Sequence, residues 1–79
     1  MSEFDELCKR ILEFLARNGE RATGEILAAV KDLGVEREKV RYRLLTLAAD
    51  GYVERRKITS KLSLWRITEK GKEVLKVHQ

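Results

Sequence analysis

Residues 36–67 read EREKVRYRLLTLAADGYVERRKITSKLSLWRI, and two different periodicities meet within this stretch at Gly51. Before the glycine, apolar residues recur every three or four positions, which is typical of an amphipathic helix. They are Val40, Leu44, Leu47 and Ala48. After the glycine, β-branched, aromatic and charged residues partly alternate, which is typical of strands. We therefore predict a helix over 36–50, a stop at Gly51, and a hairpin over 52–67 with its polar tip at 59–61.

Two further helices are predicted before this stretch. Ser2 is expected to cap the first helix and Gly19 to end it. Its apolar stripe is Phe4, Leu7, Cys8, Ile11, Leu12, Phe14 and Leu15. Thr23 is expected to cap the second helix and Gly34 to end it, with 20–22 as a short link or strand. Its buried face is Ile26, Leu27, Val30 and Leu33.

One more helix is predicted after the hairpin. Thr68 is expected to cap it, and Gly71 to weaken it. Its apolar contacts are Val74, Leu75 and Val77, and His78 is expected to be a frayed tail residue. The order helix, helix, helix, hairpin, helix predicts the α+β class. It predicts a single domain over 1–79, with a three-helix core, a two-stranded β-wing and a short C-terminal helix.

The residue types present argue against catalysis and metal binding. The chain has 79 residues with one cysteine, Cys8, and one histidine, His78. One cysteine cannot form an intramolecular disulfide or a cysteine metal cluster. A nucleophile–base pair or a multi-histidine site cannot be assembled from these two residues either. We therefore predict that the protein is not an enzyme and that it uses no cofactor or metal.

The positive charge is concentrated in one part of the chain. The formal net charge is +4, but residues 1–34 carry −2, whereas residues 35–66 carry nine basic and four acidic side chains, or +5. A localised basic face attracts polyanions. No apolar run is long enough to span a bilayer and no signal peptide is evident, so we expect a cytoplasmic protein without a membrane partner. The high charge and the scarcity of amides, which are only Asn18 and Gln79, point to a thermophilic source.

Two segments carry a resemblance to a known family. Residues 40–55 read VRYRLLTLAADGYVER and residues 65–75 read WRITEKGKEVL. They resemble the winged helix–turn–helix transcription regulators, especially the multiple-antibiotic-resistance-regulator type. In those proteins the recognition helix ends in glycine, then an aliphatic strand and arginine follow, and the wing returns into LTEKG. The resemblance implies binding to duplex DNA. The long helices that build the dimer and the ligand cleft of that type have no counterpart here, so no small-molecule effector is expected.

The layout is also similar to the Z-DNA-binding winged-helix domains. Residues 10–15 and 64–67 carry this second resemblance. Where that family uses asparagine and tyrosine in its third helix, this chain has Arg41 and Leu45, and the tryptophan is kept as Trp65. The shared layout therefore does not extend to the residues that read Z-form DNA.

The candidate DNA-binding residues lie on the third helix and the wing. At about 100° per residue, Lys39, Tyr42 and Thr46 point outwards, with Arg41 and Arg43 on the flanks. Arg and Lys bind phosphates or guanine edges, and Thr and Tyr hydrogen-bond to either. Because successive side chains of a strand point to opposite faces, Arg56 is expected on the face opposite to that of Arg55 and Lys57. The predicted set is Arg37, Lys39, Arg41, Tyr42, Arg43, Thr46, Arg55, Lys57 and Lys61.

Several alternatives remain open at this level. The acidic residues Glu36, Glu38 and Asp50 are also compatible with a merely solvated helix face or with a protein-interaction module. RNA and Z-form nucleic acid are weaker options, and a homodimer would match palindromic sites. Trp65 is expected to fill the core between wing and third helix, with nucleic-acid contact as the other possibility. Leu45 either touches a thymine methyl group or covers the core.

Overall fold

The computed structural model describes residues 4–78, which form four α-helices, a 3-10 turn and a three-stranded antiparallel sheet. In chain order the elements are α1 (Glu6–Asn18), β1 (Arg21–Ala22), α2 (Thr23–Ala29), the 3-10 turn (Lys31–Leu33), α3 (Arg37–Ala49), β2 (Val53–Lys57), β3 (Ser63–Ile67) and α4 (Glu69–Val77). The strand order is β1–β3–β2, so the wing hairpin gains a third strand from the link before α2. The predicted α+β class, with a three-helix core and a wing, is confirmed.

One hydrophobic core joins the helices to the wing. Ile11, Leu12, Ile26 and Leu44 are fully buried at its centre. The wing contributes two buried side chains, Val53 and Trp65, and α4 contributes Leu75. Cys8 is 1% exposed and is therefore a core residue. Its burial raises the pKa of its thiol to about 11. None of the helices within residues 4–78 is long and apolar enough to cross a membrane.

The first helix begins later than the sequence pattern suggested. Phe4 and Asp5 precede α1, and Asp5 is its N-cap, with a carboxylate oxygen that accepts a hydrogen bond of 3.0 Å from the backbone N–H of Cys8. Ser2, which we expected to cap this helix, lies outside the described residues. An N-cap carboxylate satisfies a free N–H group and lies at the positive end of the helix dipole.

The expected cap of α2 is also wrong. Ala22 occupies the N-cap position, and Thr23 is the first helical residue. The Thr23 hydroxyl instead accepts a 2.8 Å hydrogen bond from the indole N–H of Trp65, which would otherwise be a buried donor without a partner. The carboxylate of Glu25 accepts from the backbone N–H of Ala22 at 2.9 Å, so one helix-end donor is still satisfied.

The last helix starts as predicted but packs differently. The Thr68 hydroxyl accepts from the backbone N–H of Gly71 at 3.1 Å, which confirms the cap. Gly71 was expected only to weaken the helix, yet it is buried against the backbone of Tyr52. Val77 is 78% exposed and adds little to the core, contrary to expectation. His78 is not a frayed residue, because its ring stacks on Phe4 with centroids 4.1 Å apart.

Candidate nucleic-acid interface

A cleft of about 380 Å³ lies between α3 and the wing. We call it the helix–wing cleft. One wall is a stripe of α3 formed by Arg37, Arg41 and Leu45, which are four residues apart and therefore share a helix face. The opposite wall belongs to the wing, with Arg55 and Lys61 as its charged members. The complete lining is Thr23, Arg37, Arg41, Leu45, Arg55, Ser60, Lys61, Ser63 and Trp65.

The lining of the helix–wing cleft carries charge of one sign. It holds four cationic side chains and no carboxylate. Among residues 4–78, none of these four cations forms an ion pair with an acidic side chain. Like charges gathered without counter-charges raise the local potential, and a cleft focuses it. The geometry is therefore suited to an anion that presents several negative groups.

Arg55 is held in place by two neighbours on β3. Its Nε donates a 3.0 Å hydrogen bond to the Ser63 hydroxyl, and its guanidinium carbon lies 5.5 Å from the centroid of the Trp65 ring. A guanidinium over an aromatic face is attracted by the ring quadrupole. The register places Arg55 opposite Trp65 and Lys57 opposite Ser63, which fixes this arrangement. The guanidinium is thus oriented before any ligand binds.

Arg43 does not belong to this surface. We expected it on a flank of the outward face, but that flank of α3 meets the start of α1. Its side chain is 15% exposed and forms a salt bridge to Asp5, with Nε 3.2 Å from one carboxylate oxygen. A guanidinium occupied in this way is not available to a ligand, so we remove Arg43 from the candidate set.

The Asp5–Arg43 salt bridge predicts a specific dependence of stability on pH. Hydrogen bonds from Arg43 hold the pKa of the Asp5 carboxyl well below its usual range, despite partial burial. The stabilisation is therefore complete above the unfolded-state pKa, near 3.9. It is lost as the pH falls through the lower folded-state value. We expect Arg43→Met to lower the free energy of unfolding at pH 7 by about 2 kcal/mol.

The measurement is urea denaturation of wild type and Arg43→Met from pH 7 down to pH 2. The difference between them should shrink below about pH 4, because the unfolded wild-type chain then takes up a proton at Asp5 that the folded protein does not yet bind. Arg10→Met, which removes the exposed Arg10–Asp32 salt bridge, serves as a surface control and should change the stability less than Arg43→Met does. A difference that stays constant from pH 7 to pH 2 would contradict the electrostatic origin.

On the other face of the wing, acidic side chains neutralise the positive charge of the arginines. Arg56 forms a salt bridge to Glu20 at 2.7 Å, and Arg66 forms one to Glu54 across the hairpin. Hydrogen bonding to Arg56 lowers the pKa of Glu20. A second cleft, which Arg55 also borders, is lined by both signs of charge, since Glu20 and Glu54 lie among Arg55, Arg56 and Arg66. Alternation predicted that Arg56 faces away from Arg55 and Lys57, and the hydrogen bonds are compatible with this, since Arg56 donates to Glu20 and Arg55 to Ser63.

The structure gathers four of the nine predicted residues in the helix–wing cleft: Arg37, Arg41, Arg55 and Lys61. Tyr42 is 61% exposed on the outward face of α3, and Lys39 and Lys57 are exposed outside the cleft. Thr46 is half-buried, and its hydroxyl donates to the backbone carbonyl of Arg43 at 2.9 Å.

Sequence reasoning missed some of the polar lining of the cleft. Ser60 and Ser63 line the wing side, and Thr23 lines the cleft from the start of α2. Nothing in the local pattern marked these hydroxyls. The spacing of Arg37, Arg41 and Leu45 was a usable signal, because residues four apart share a face. Leu45 and Trp65, whose roles were left open, both line the cleft, although Trp65 is 4% exposed and belongs mainly to the core.

The chain is similar to several solved structures. No family model and no curated protein matches it. RosR from H. salinarum superposes with a TM-score of 0.84 at 18% identity, covering 94% of this chain and 69% of RosR. The transcriptional regulator Tm0710 from Thermotoga maritima gives 0.75 at 29% identity, covering 92% of this chain and 50% of Tm0710. PKZ Zalpha in complex with ds(CG)6 gives 0.64 at 28% identity, covering 76% of this chain and 90% of that domain.

These likenesses establish the winged-helix fold. Both groups of proteins that the sequence resembles are found again among the similar structures. The chain spans about half the length of Tm0710 and nearly the full length of the Zalpha domain. All three superpositions cover at least three quarters of this chain.

Proposed function

We propose that this winged helix–turn–helix domain binds duplex DNA as part of a transcription regulator, with α3 in the major groove and the wing on the backbone. The observation that carries the proposal is the helix–wing cleft, which has four cations without ion-pair partners among residues 4–78 and no carboxylate in its lining. Phosphates along a duplex are spaced regularly, so a row of cations can meet several of them at once.

The outward face of α3 suits contact with base edges. Tyr42 is 61% exposed and Leu45 is 49% exposed beside Arg41. An arginine can pair with the N7 and O6 acceptors of guanine, and a leucine can contact a thymine methyl group. Glu36, the N-cap of α3, and Glu38, in its first turn, are exposed but do not line the cleft. Their charge opposes phosphate contact on the N-terminal turn, so we assign the phosphates to the cleft.

The comparisons support the same function. Tm0710 is described as a transcriptional regulator, and PKZ Zalpha was solved in complex with ds(CG)6. Arg41 and Leu45 replace the residues with which the Z-DNA-binding family reads its ligand, so we propose B-form duplex as the target. We propose a binding role without catalysis for this chain as well.

The test is fluorescence anisotropy of a labelled 20-base-pair duplex over a range of salt concentrations. Contacts from four cations release about four counterions, so a plot of log K against log salt concentration should fall with a slope of about −3 to −4. A slope near zero, or no binding at low salt, would overturn the proposal.

Two further ligands separate the alternatives in the same assay. An RNA duplex of the same sequence should bind more weakly, because its deep, narrow major groove does not admit a helix. An alternating CG duplex should keep its B-form circular dichroism spectrum when protein is added. Inversion of that spectrum would favour a Z-form reader.

Dimerisation stays a prediction from the sequence, and sedimentation of the free chain tests it.

A further inference from the structure

The three-stranded sheet has two faces with different surroundings. Arg55 and Trp65 lie opposite each other in the strand register and belong to the face that meets the core and the helix–wing cleft. Their neighbours Arg56 and Leu64 are also paired with each other. Because successive side chains of a strand point to opposite sides, Arg56 and Leu64 lie on the opposite face of the sheet. We call this opposite face the outer wing face.

The outer wing face carries a row of apolar side chains. The backbone N–H of Ile58 donates to the carbonyl of Leu62 at 2.9 Å, so these two residues are cross-strand partners. Ile58 is two positions after Arg56, and Leu62 is two positions before Leu64, which places both on the outer wing face. Ile58 is 44% exposed, Leu62 is 40% exposed and Leu64 is half-buried. Ala22 is paired with Leu64 and extends the row to β1.

Ion pairs border the apolar row and leave the outer wing face without net charge. Arg56 forms a salt bridge to Glu20 at 2.7 Å, and Arg66 forms one to Glu54, its partner in the strand register. An apolar centre with a polar rim is typical of a protein–protein interface. Nucleic acid is a poor match for this face, because carboxylates repel phosphates and both arginines are already paired. The surface therefore suits a protein partner.

The distribution of charge favours a second copy of the chain as that partner. A two-fold contact brings the same surface of both copies together, so that surface must not repel itself. The helix–wing cleft, with four cations and no carboxylate, would repel its own copy. The outer wing face has equal numbers of arginines and glutamates, which can exchange partners across a two-fold axis. The apolar row of each copy would then cover that of the other and remove it from water.

We infer that two copies pack through their outer wing faces and that the dimer carries its two helix–wing clefts on opposite sides. In each copy the cleft lies on the other face of the same sheet, so packing of the outer faces turns both clefts outwards. Such a dimer holds two separate duplexes rather than two halves of one site. The bridging of duplexes rests on the proposed DNA binding, whereas the interface does not.

The first measurement is sedimentation equilibrium of the free chain at concentrations on the order of 10–500 µM, which suit a small interface. Wild type should form a dimer whose share rises with concentration. Ile58→Ser/Leu62→Ser should raise the dissociation constant of the dimer at least about tenfold, because the row loses its two most exposed side chains. Val77→Ser on α4 also replaces an exposed apolar side chain and should dimerise like wild type.

The second measurement is the capture of a fluorescent duplex by an immobilised duplex in the presence of protein. Wild type and Val77→Ser should capture it, and Ile58→Ser/Leu62→Ser should not. The double variant should still bind a single duplex with an affinity within about twofold of wild type in the anisotropy assay, because its cleft is unchanged. Melting temperatures of the variants confirm that they fold.

Several outcomes would contradict the inference. Wild type that stays monomeric throughout the concentration range, or a dimer that the double variant retains, would overturn it. A dimer that only Val77→Ser loses would place the interface on α4 instead. A dimer that binds single duplexes but captures no second one would reject the outward clefts. If wild type dimerises through the outer wing face but binds no duplex, the proposed function fails and the interface stands.

Discussion

Gly71→Ala is expected to lower the free energy of unfolding by about 3 kcal/mol. A Cβ atom at this position would lie 2.2 Å from the carbonyl oxygen of Tyr52 and 2.7 Å from a side-chain carbon of Ile67. The first contact is with backbone and cannot be relieved by a change of rotamer. Alanine is a better helix former than glycine by about 1 kcal/mol, so a simple propensity argument predicts the opposite sign.

The close approach at Gly71 joins α4 to the turn after α3. The Thr68 hydroxyl donates to the Gly51 carbonyl at 2.6 Å, and the Lys70 ammonium donates to the Asp50 carbonyl at 2.8 Å. The Thr68 backbone N–H donates to the Tyr52 carbonyl at 3.0 Å. Residues 68–71, which read TEKG, therefore fix the end of α3 relative to the wing. Displacing α4 would disturb both walls of the helix–wing cleft.

Thermal unfolding followed by circular dichroism measures the Gly71→Ala effect, with an expected fall in Tm of roughly 15 °C for a domain of this size. Gly24→Ala is the matched control. Gly24 lies in α2 with open space around its Cα and no positive φ, so alanine there should stabilise by about 0.5–1 kcal/mol. Equal melting temperatures for the two variants would show that α4 shifts without cost and would contradict the packing argument.

Periodicity and stop residues were enough to predict most of the fold. Gly19 and Gly51 have positive φ after α1 and α3, where the pattern predicted helix ends, because glycine reaches that region without steric cost. The predicted end of the second helix at Gly34 was wrong: α2 ends at Ala29, and Gly34, also with positive φ, ends the 3-10 turn that follows. The observed α3 differs from the predicted helix by one residue at each end. These features depend on neighbours within a few positions, which the sequence displays directly.

The candidate site could be predicted only in part. Contacts between residues far apart in the sequence decide which basic side chains line the cleft and which are paired elsewhere. Arg43 and Asp5 are 38 residues apart, and Trp65 and Thr23 are 42 apart. Helix geometry placed Arg41 and Arg43 on two flanks of α3 but could not say which flank α1 covers. Because the start of α1 packs on the Arg43 flank, Arg41 lines the cleft and Arg43 pairs with Asp5. The same packing replaced the expected Thr23 cap with a hydrogen bond to Trp65.

Arg41→Ala/Arg55→Ala should weaken duplex binding by about 100-fold at moderate salt, with about 1–2 kcal/mol lost for each charge-assisted contact. The slope of log K against log salt concentration should become shallower by about 2, since each phosphate contact accounts for nearly one counterion. Both arginines line the helix–wing cleft, one from each wall. Melting temperatures confirm folding, because Arg55 also contacts Trp65.

The control Arg56→Ala/Arg66→Ala removes the same net charge from the opposite face of the wing, where each arginine already pairs with a glutamate. If attraction to DNA came from net charge alone, the two double variants would lose equal affinity, because long-range steering depends on the total charge. If the cleft binds phosphates, the control should lose less than about threefold and keep its salt slope. Equal losses would therefore reject the cleft as the binding surface, and a larger loss in the control would move the interface to the face of Glu20 and Glu54.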